Sequence, residues 1–249
     1  MTAELTIACS AWHKQKNLEL YFQQHLRSLL EQSIPVKIVY ICDGGLALEK
    51  PDPRVTIITV SDPIKTAQAF NIGLALADTP YFATLNLDDF FFRNALELQV
   101  GAMKQLGVDA FFGDWEIRFT KVGETDRMCF GLDELSPCKN WPPENKPGLR
   151  LGNGDGHRGT WGPAPVFRTA ALKELGGYPK WFGDGSPVPT IIDWIVWQRF
   201  LKAQKQVSRG AIVVGSYYSN PETQQEFRSG GNDTVIAEHQ RYEQFGALV

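Results

Sequence analysis

The chain is predicted to fold as an α/β domain with a mostly parallel central sheet flanked by helices. Three observations predict it. Short apolar runs alternate with segments of helical periodicity through about residue 115. Two of those runs stop at polar turns, Asp43-Gly44-Gly45 and Asp88-Asp89. A length of 249 residues is enough for one large α/β core.

The elements follow in order. Residues 5–9 (LTIAC) form an apolar strand, and Asn17 is placed to cap a helix in which Leu18, Phe22, Leu26, Leu29 and Leu30 recur at helical spacing. KIVYIC at 37–42 is a β-branched strand, and VTIITV at 55–60 is another. A helix is expected from about Thr66 to Ala77, then YFATLNL at 81–87 as a strand. A further helix starts at Asn94 and ends at Gly107, before the strand DAFFGDW at 109–115. Between Pro137 and Pro165 prolines and glycines are too frequent for a regular element, so a long loop is expected there, as a substrate lid or a plain surface excursion. Thr169 opens a short helix closed by Gly176-Gly177, a longer helix covers about Ile191 to Ala203, AIVVGSYY at 211–218 reads as a late strand, and 234–244 reads as a surface helix.

Composition narrows the function. Lys plus Arg number 25 against 28 Asp plus Glu, a formal charge of −3, so the chain lacks the basic excess that phosphate neutralisation of a nucleic acid needs. No apolar run approaches the roughly 18 residues that span a bilayer, and the N-terminus lacks a basic segment followed by an apolar signal core. A cytoplasmic location is the resulting expectation. Cys9, Cys42, Cys129 and Cys138 form no C-x-x-C pair, and the first two lie in strand-like runs that suit buried, reduced thiols.

In parallel sheets ligands bind beyond the carboxyl ends of the strands, where strand order reverses. Ser10, Trp12, Asp43, Asp88 and Asp89 fall at such ends. Adjacent carboxylates at a strand end suit a hard cation, Mg²⁺ or Mn²⁺, shared with a diphosphate; an acidic turn is the alternative. Asp43 is placed to accept a hydrogen bond from a nucleobase ring N–H or to form a turn, and Trp12 offers either a stacking face or core volume.

These segments resemble the family 2 type of GT-A glycosyltransferases, which transfer a sugar from a nucleotide-sugar donor. The resemblance runs from Leu5–Trp12 and Ser28-Leu29-Leu30-Glu31-Gln32-Ser33, like S-L-L-x-Q-[TS], to Val39–Gly45, like V-V-D-D-G-S. Ala69-Phe70-Asn71-Ile72-Gly73 and the residues to Ala77 look like A-R-N-x-G-I-x-x-A, and Tyr81–Asp89 stands in place of the strand carrying D-x-D. Gly176-Gly177-Tyr178 and Ile192–Arg199 are similar to G-G-F and E-D-x-D-L-W-x-R. The likeness covers roughly residues 5 to 200.

The resemblance implies that Ser10, Trp12 and Asp43 hold the base, Asp88 contacts ribose or metal, Asp89 binds a divalent cation (Mn²⁺ or Mg²⁺), and Asp193 is the general base of an inverting transfer. Lys65 is a candidate for the positive charge lost where Phe70 replaces an Arg, or else a solvated lysine. Trp161 and Trp181 are candidates for stacking on an acceptor sugar, Asp184 competes with Asp193 for the base role, and His157-Arg158 and His239 are weaker candidates for phosphate and metal. Cys42, Asn86, Phe70 and Ile192 depart from the family pattern, and the Q-x-x-R-W signature of processive members is missing, so polymer synthesis is not expected. The expectation is one domain over 1–249: a donor half to about 115, an acceptor half over about 116–220, and a C-terminal extension over 221–249. The expected donor is a UDP- or dTDP-sugar, and the acceptor a glycan, a lipid-linked or a small molecule, with peripheral membrane contact left open. A degenerate nucleotide-sugar or glycan binder of the same fold is the main rival. A sugar nucleotidyltransferase is disfavoured because no G-x-G-T-R-type loop lies near the start.

Overall fold

A computed structural model describes residues 2–118, 127–129, 164–218 and 231–248. Its core is a sheet in the order β3-β2-β1-β4-β8-β6-β10-β5, with β7 pairing β6. The strands are β1 (Leu5–Ala11), β2 (Val36–Cys42), β3 (Val55–Thr59), β4 (Tyr81–Asn86), β5 (Phe90–Phe91), β6 (Ala110–Arg118), β7 (Arg127–Cys129), β8 (Val166–Arg168) and β10 (Val207–Tyr218). β3, β2, β1 and β4 pair in parallel, and so do β6 and β10. β8 lies antiparallel to both β4 and β6, so the main strands on its two sides point the same way.

Period-two alternation sends successive side chains to opposite faces of the sheet, and each face is buried by its own helices. Leu5, Ile7, Cys9 and Ala11 join Ile38, Tyr40 and Cys42 on one face, under α1 (Leu18–Leu30) and α3 (Ala95–Leu106). Ala8, Val39, Ile41, Phe82 and Phe112 face the other way, under α2 (Thr66–Leu76), α4 (Thr169–Glu174) and α5 (Ile192–Lys202). A third cluster of Phe182, Val188, Ile191, Trp194, Ile195 and Tyr242 joins α5 to α6 (Gly231–Phe245) and to a small antiparallel pair, β9 (Trp181–Phe182) with β11 (Ala247–Leu248).

The expected elements up to 115 form close to their predicted ranges, but several details differ. Asn17 precedes α1 in the left-handed region (φ 55°) and makes no side-chain cap, so it supplies a backbone turn and not a capping bond. β8, a three-residue strand inserted antiparallel between β4 and β6, is too short to show a sequence period. The helix expected at the surface over 234–244 buries Glu238, His239 and Tyr242. Most of the Gly/Pro-rich stretch, with His157, Arg158 and Trp161, lies outside the described residues. Cys9 and Cys42 are buried free thiols, and burial followed by the Asp43 charge pushes Cys42 up to about 11, which makes it inert.

Candidate active site

The chain runs β1, β2, β3 outward and then returns to set β4 on the other side of β1, so the switch point lies between β1 and β4. Of the predicted donor residues, Ser10 and Trp12 lie at the end of β1 there, Asp43 at the end of the adjoining β2 and Asp88 just past β4. Ser10 is in register with Ile41 on β2 and with Asn86 on β4. Trp12 follows the end of β1 and is 38% exposed, which removes it from the core and leaves a face open for stacking.

Asp43 follows β2, and its amide donates to the carbonyl of Ala11, which extends the β1–β2 pairing by one bond. Its carboxylate is buried against His13, whose backbone amide and ring Nδ1 both lie 2.9 Å from Asp43 Oδ1. The His13 ring packs over Gly44 so closely that a Cβ there would sit 2.4 Å from Nδ1, and Gly44 has φ +59°, so only glycine fits. His13 also meets Trp12 edge-on, with ring centroids 6.3 Å apart. Trp12, His13 and Asp43 thus form one cluster.

Past β4, Asp88 is half-buried and Asp89 is buried. Asp89 Oδ1 accepts the backbone N–H of Tyr218 at 2.8 Å, which ties the end of β4 to the end of β10. Asp88 is therefore the more accessible carboxylate of the pair. A hard cation in such sites usually takes one or two carboxylates, completing its shell with phosphate oxygens and water. An Asp88-Asp89 pair at a strand end fits that donor set, and among the described residues no cluster of three or more His, Cys, Asp or Glu forms a closed cage.

Asp193 is exposed in the first turn of α5, where the macrodipole favours a carboxylate, and its Oδ1 accepts the Trp194 N–H at 2.8 Å. Its charge reaches Tyr178. Burial first, and then Asp193, push the Tyr178 hydroxyl above the usual phenol range, against the opposing effect of a 3.1 Å hydrogen bond with Thr84. Thr84 lies on β4 two residues before Asn86, so the Tyr178 hydroxyl is held at the strand that leads to Asp88. Tyr178 is itself fixed by Asn71, whose side chain donates to its carbonyl and accepts from its amide, both at 2.8 Å.

The remaining candidates take other positions. Lys65 is exposed at the start of α2, and its amide donates to Gln68 Oε1 at 2.9 Å. Trp181 is 42% exposed on β9. Asp184 accepts from the amide and hydroxyl of Ser186 and from Arg241 Nε at 2.7 Å, contacts that hold it at about 2, too weak a base to compete with a solvated carboxylate. His239 packs edge-on against Trp194 with centroids 4.3 Å apart, and burial lowers its pKa. Sequence reasoning missed His13 and Glu238. The only signal for His13 was its place beside Trp12, and Glu238 looks like an ordinary solvent-facing acid of an amphipathic helix.

The mostly parallel sheet, flanked by helices and with its switch point between β1 and β4, has the architecture of the GT-A class of glycosyltransferase folds. Residues 15–176 match the Glycosyl transferase family 2 pattern, well over half of the sequence, and the chain belongs to that family. A curated Escherichia coli relative, UDP-Glc:alpha-D-GlcNAc-diphosphoundecaprenol beta-1,3-glucosyltransferase WfgD, is 27% identical over 108 residues, 41% of this chain and 43% of the relative. The match therefore spans less than half the length of that enzyme. In fold, the chain is similar to S. aureus TarS 1–349 in complex with UDP (TM-score 0.59, 15% identity, 97% of this chain and 72% of that one). It is also similar to mannosyltransferase PcManGT from Pyrobaculum calidifontis in complex with GDP-Man and Mn²⁺ (TM-score 0.62, 12% identity, 99% and 66%). Among the described residues no helix is long and apolar enough to cross a membrane.

Proposed function

We propose that the protein transfers a sugar from a UDP- or dTDP-sugar to an acceptor hydroxyl with inversion, assisted by a divalent cation and with Asp193 as general base. The observation that supports it best is the cluster of Trp12, His13 and Asp43 at the ends of β1 and β2, with Ser10 in register with Asn86, two residues before Asp88. Trp12 stacks on the base, Asp43 accepts a ring N–H, and Ser10 lies beneath. Lys65, at the same end of the sheet, is the nearest candidate on α2 for a donor phosphate.

Asp88 and Asp89, the latter anchored by the Tyr218 amide, would hold Mn²⁺ or Mg²⁺, and the cation when bound would supply charge stabilisation to the departing diphosphate. Asp193 takes the acceptor hydroxyl proton as the oxygen attacks the anomeric carbon from the face opposite the leaving group. The new C–O bond forms while the bond to the diphosphate oxygen breaks, and that electron pair leaves with the nucleoside diphosphate. Trp161 and Trp181 are the proposed acceptor aromatics. The WfgD name, a transferase acting on a diphosphoundecaprenol-linked sugar, supports a glycan or lipid-linked acceptor.

The test is incubation of the purified chain with Mn²⁺ and UDP-glucose, UDP-GlcNAc, dTDP-glucose and GDP-mannose. Release of nucleoside diphosphate from one of them is expected. No release, together with no shift of the melting temperature by any donor, overturns the reading. A donor-binding protein without turnover is the second reading, favoured by Cys42, which is buried where family members carry an acid, and by Asn86 and Ile192. It predicts a melting shift without release.

A further inference from the structure

We propose that Glu238, on the C-terminal helix α6, is a positioning residue for Asp193. The proposal rests on the reading of Asp193 as general base. The first amides of a helix have no partners within it, and a Ser, Thr, Asp or Asn at the cap usually satisfies one of them. In α5 the cap is Ile191, which has no side chain able to do so. Asp193 Oδ1 itself accepts the Trp194 amide, and a carboxylate 47 residues away from Ile191 holds the two residues that lead into the helix. Glu238 is 6% exposed; its Oε2 accepts the amides of Thr190 and Ile191, both at 3.2 Å, and its Oε1 accepts the Thr190 hydroxyl. Charge-assisted bonds of this kind are stronger than neutral ones, and the negative group sits at the positive end of the helix.

Asp193 is the second residue of α5, two residues after the Ile191 amide that this carboxylate holds. The next residue, Trp194, is fixed between the two elements by edge-on contacts with His239 and with Tyr242, whose centroid is 5.2 Å away. Lys202, at the other end of α5, bonds the Tyr242 hydroxyl at 3.0 Å. α6 therefore grips α5 at both ends, and at the Asp193 end the backbone that leads into the helix is held by the Glu238 carboxylate. Without it the first turn frays and the Asp193 carboxylate samples positions away from the acceptor oxygen. Misplacement of a catalytic group by about 1 Å costs on the order of a hundredfold in rate.

The test uses the full chain with Mn²⁺ and whichever of UDP-glucose, UDP-GlcNAc, dTDP-glucose or GDP-mannose the wild type turns over. Glu238→Gln is expected to lower kcat about ten- to a hundredfold, leaving donor KM and the UDP dissociation constant within about twofold. Amide exchange in the peptide covering 190–195 is expected to speed up, while the peptide covering β1 stays unchanged. Thr190→Val, which removes one of the three bonds, is expected to give a smaller kcat loss in the same direction, and serves if Glu238→Gln does not fold. In the Asp193→Asn background Glu238→Gln is expected to add nothing, because it acts through that carboxylate. A Glu238→Gln protein with lowered Tm but wild-type kcat overturns the proposal, as does a double variant slowed by the full product of the two single effects. If Asp193→Asn is as active as wild type, or the wild type releases no diphosphate, the base reading itself has failed and the proposal falls with it.

Discussion

The backbone amide and the ring Nδ1 of His13 converge on one oxygen of Asp43, each at 2.9 Å. This pair joins the loops after β1 and β2 and holds the residue beside the exposed Trp12. Asp43→Ala strands the His13 amide, an expected loss of about 1–3 kcal/mol in a urea titration, and weakens UDP binding with it.

In the proposed donor site Trp12 is expected to contribute to binding and little to folding. Trp12→Ala is expected to weaken UDP binding by about 1–3 kcal/mol in titration calorimetry, a base-stacking contribution, with the melting temperature nearly unchanged. An unchanged affinity would remove Trp12 from the donor site.

Asn71 and Gly73 support Tyr178 and the β1 face. Asn71 bonds both peptide groups of Tyr178, and Asn71→Ala is expected to cost about 2–4 kcal/mol in chemical denaturation. A Cβ on Gly73 would lie 2.3 Å from Ala8 Cβ, so Gly73→Ala is expected to cost about 1–3 kcal/mol through overpacking.

Stability is expected to fall as the medium is acidified. His25 is buried, and desolvation lowers it from 6.5 to about 3. The unfolded chain therefore binds a proton that the folded chain refuses. Its contribution is whole above pH 6.5 and declines as pH drops toward 3, by up to about 1.4 kcal/mol per pH unit. His239, also lowered by burial, acts in the same direction. His25→Gln, which keeps a polar partner for the Tyr40 hydroxyl, is expected to flatten urea midpoints measured between pH 6.5 and 4.

Removal of the cation is expected to stop turnover. Treatment with a chelator followed by Mn²⁺ titration should restore diphosphate release, and Asp88→Asn should lower the restored rate by about a hundredfold, on the scale of the charge stabilisation a metal supplies. Full activity in the chelator would contradict a metal-assisted step.

The half of the fold made of strands 5–11, 36–42, 55–59 and 81–86 was legible because apolar strand runs alternate with helical periodicity, and two of the runs stop at polar turns. Asp43 and Asp88 were legible for the same reason, as polar residues at strand ends. β8 was not, since three residues carry no period, and its antiparallel insertion depends on partners far away in sequence. The His13–Asp43 and Glu238–Thr190 contacts span 30 and 48 residues and leave no local pattern. In α6 a charged residue at a buried position gives the same periodicity as an exposed one, and the partners of Glu238, the amides of Thr190 and Ile191, come from the segment before α5. Asp184 matched the base role by residue type alone; its bonds to Ser186 and Arg241 come from the folded turn and α6.

The most direct measurement is nucleoside diphosphate release by Asp193→Asn beside its UDP affinity. The account predicts a loss of about 10²- to 10⁴-fold in turnover, the range of a removed general base, with UDP bound as in the wild type. Turnover at the wild-type rate would contradict it.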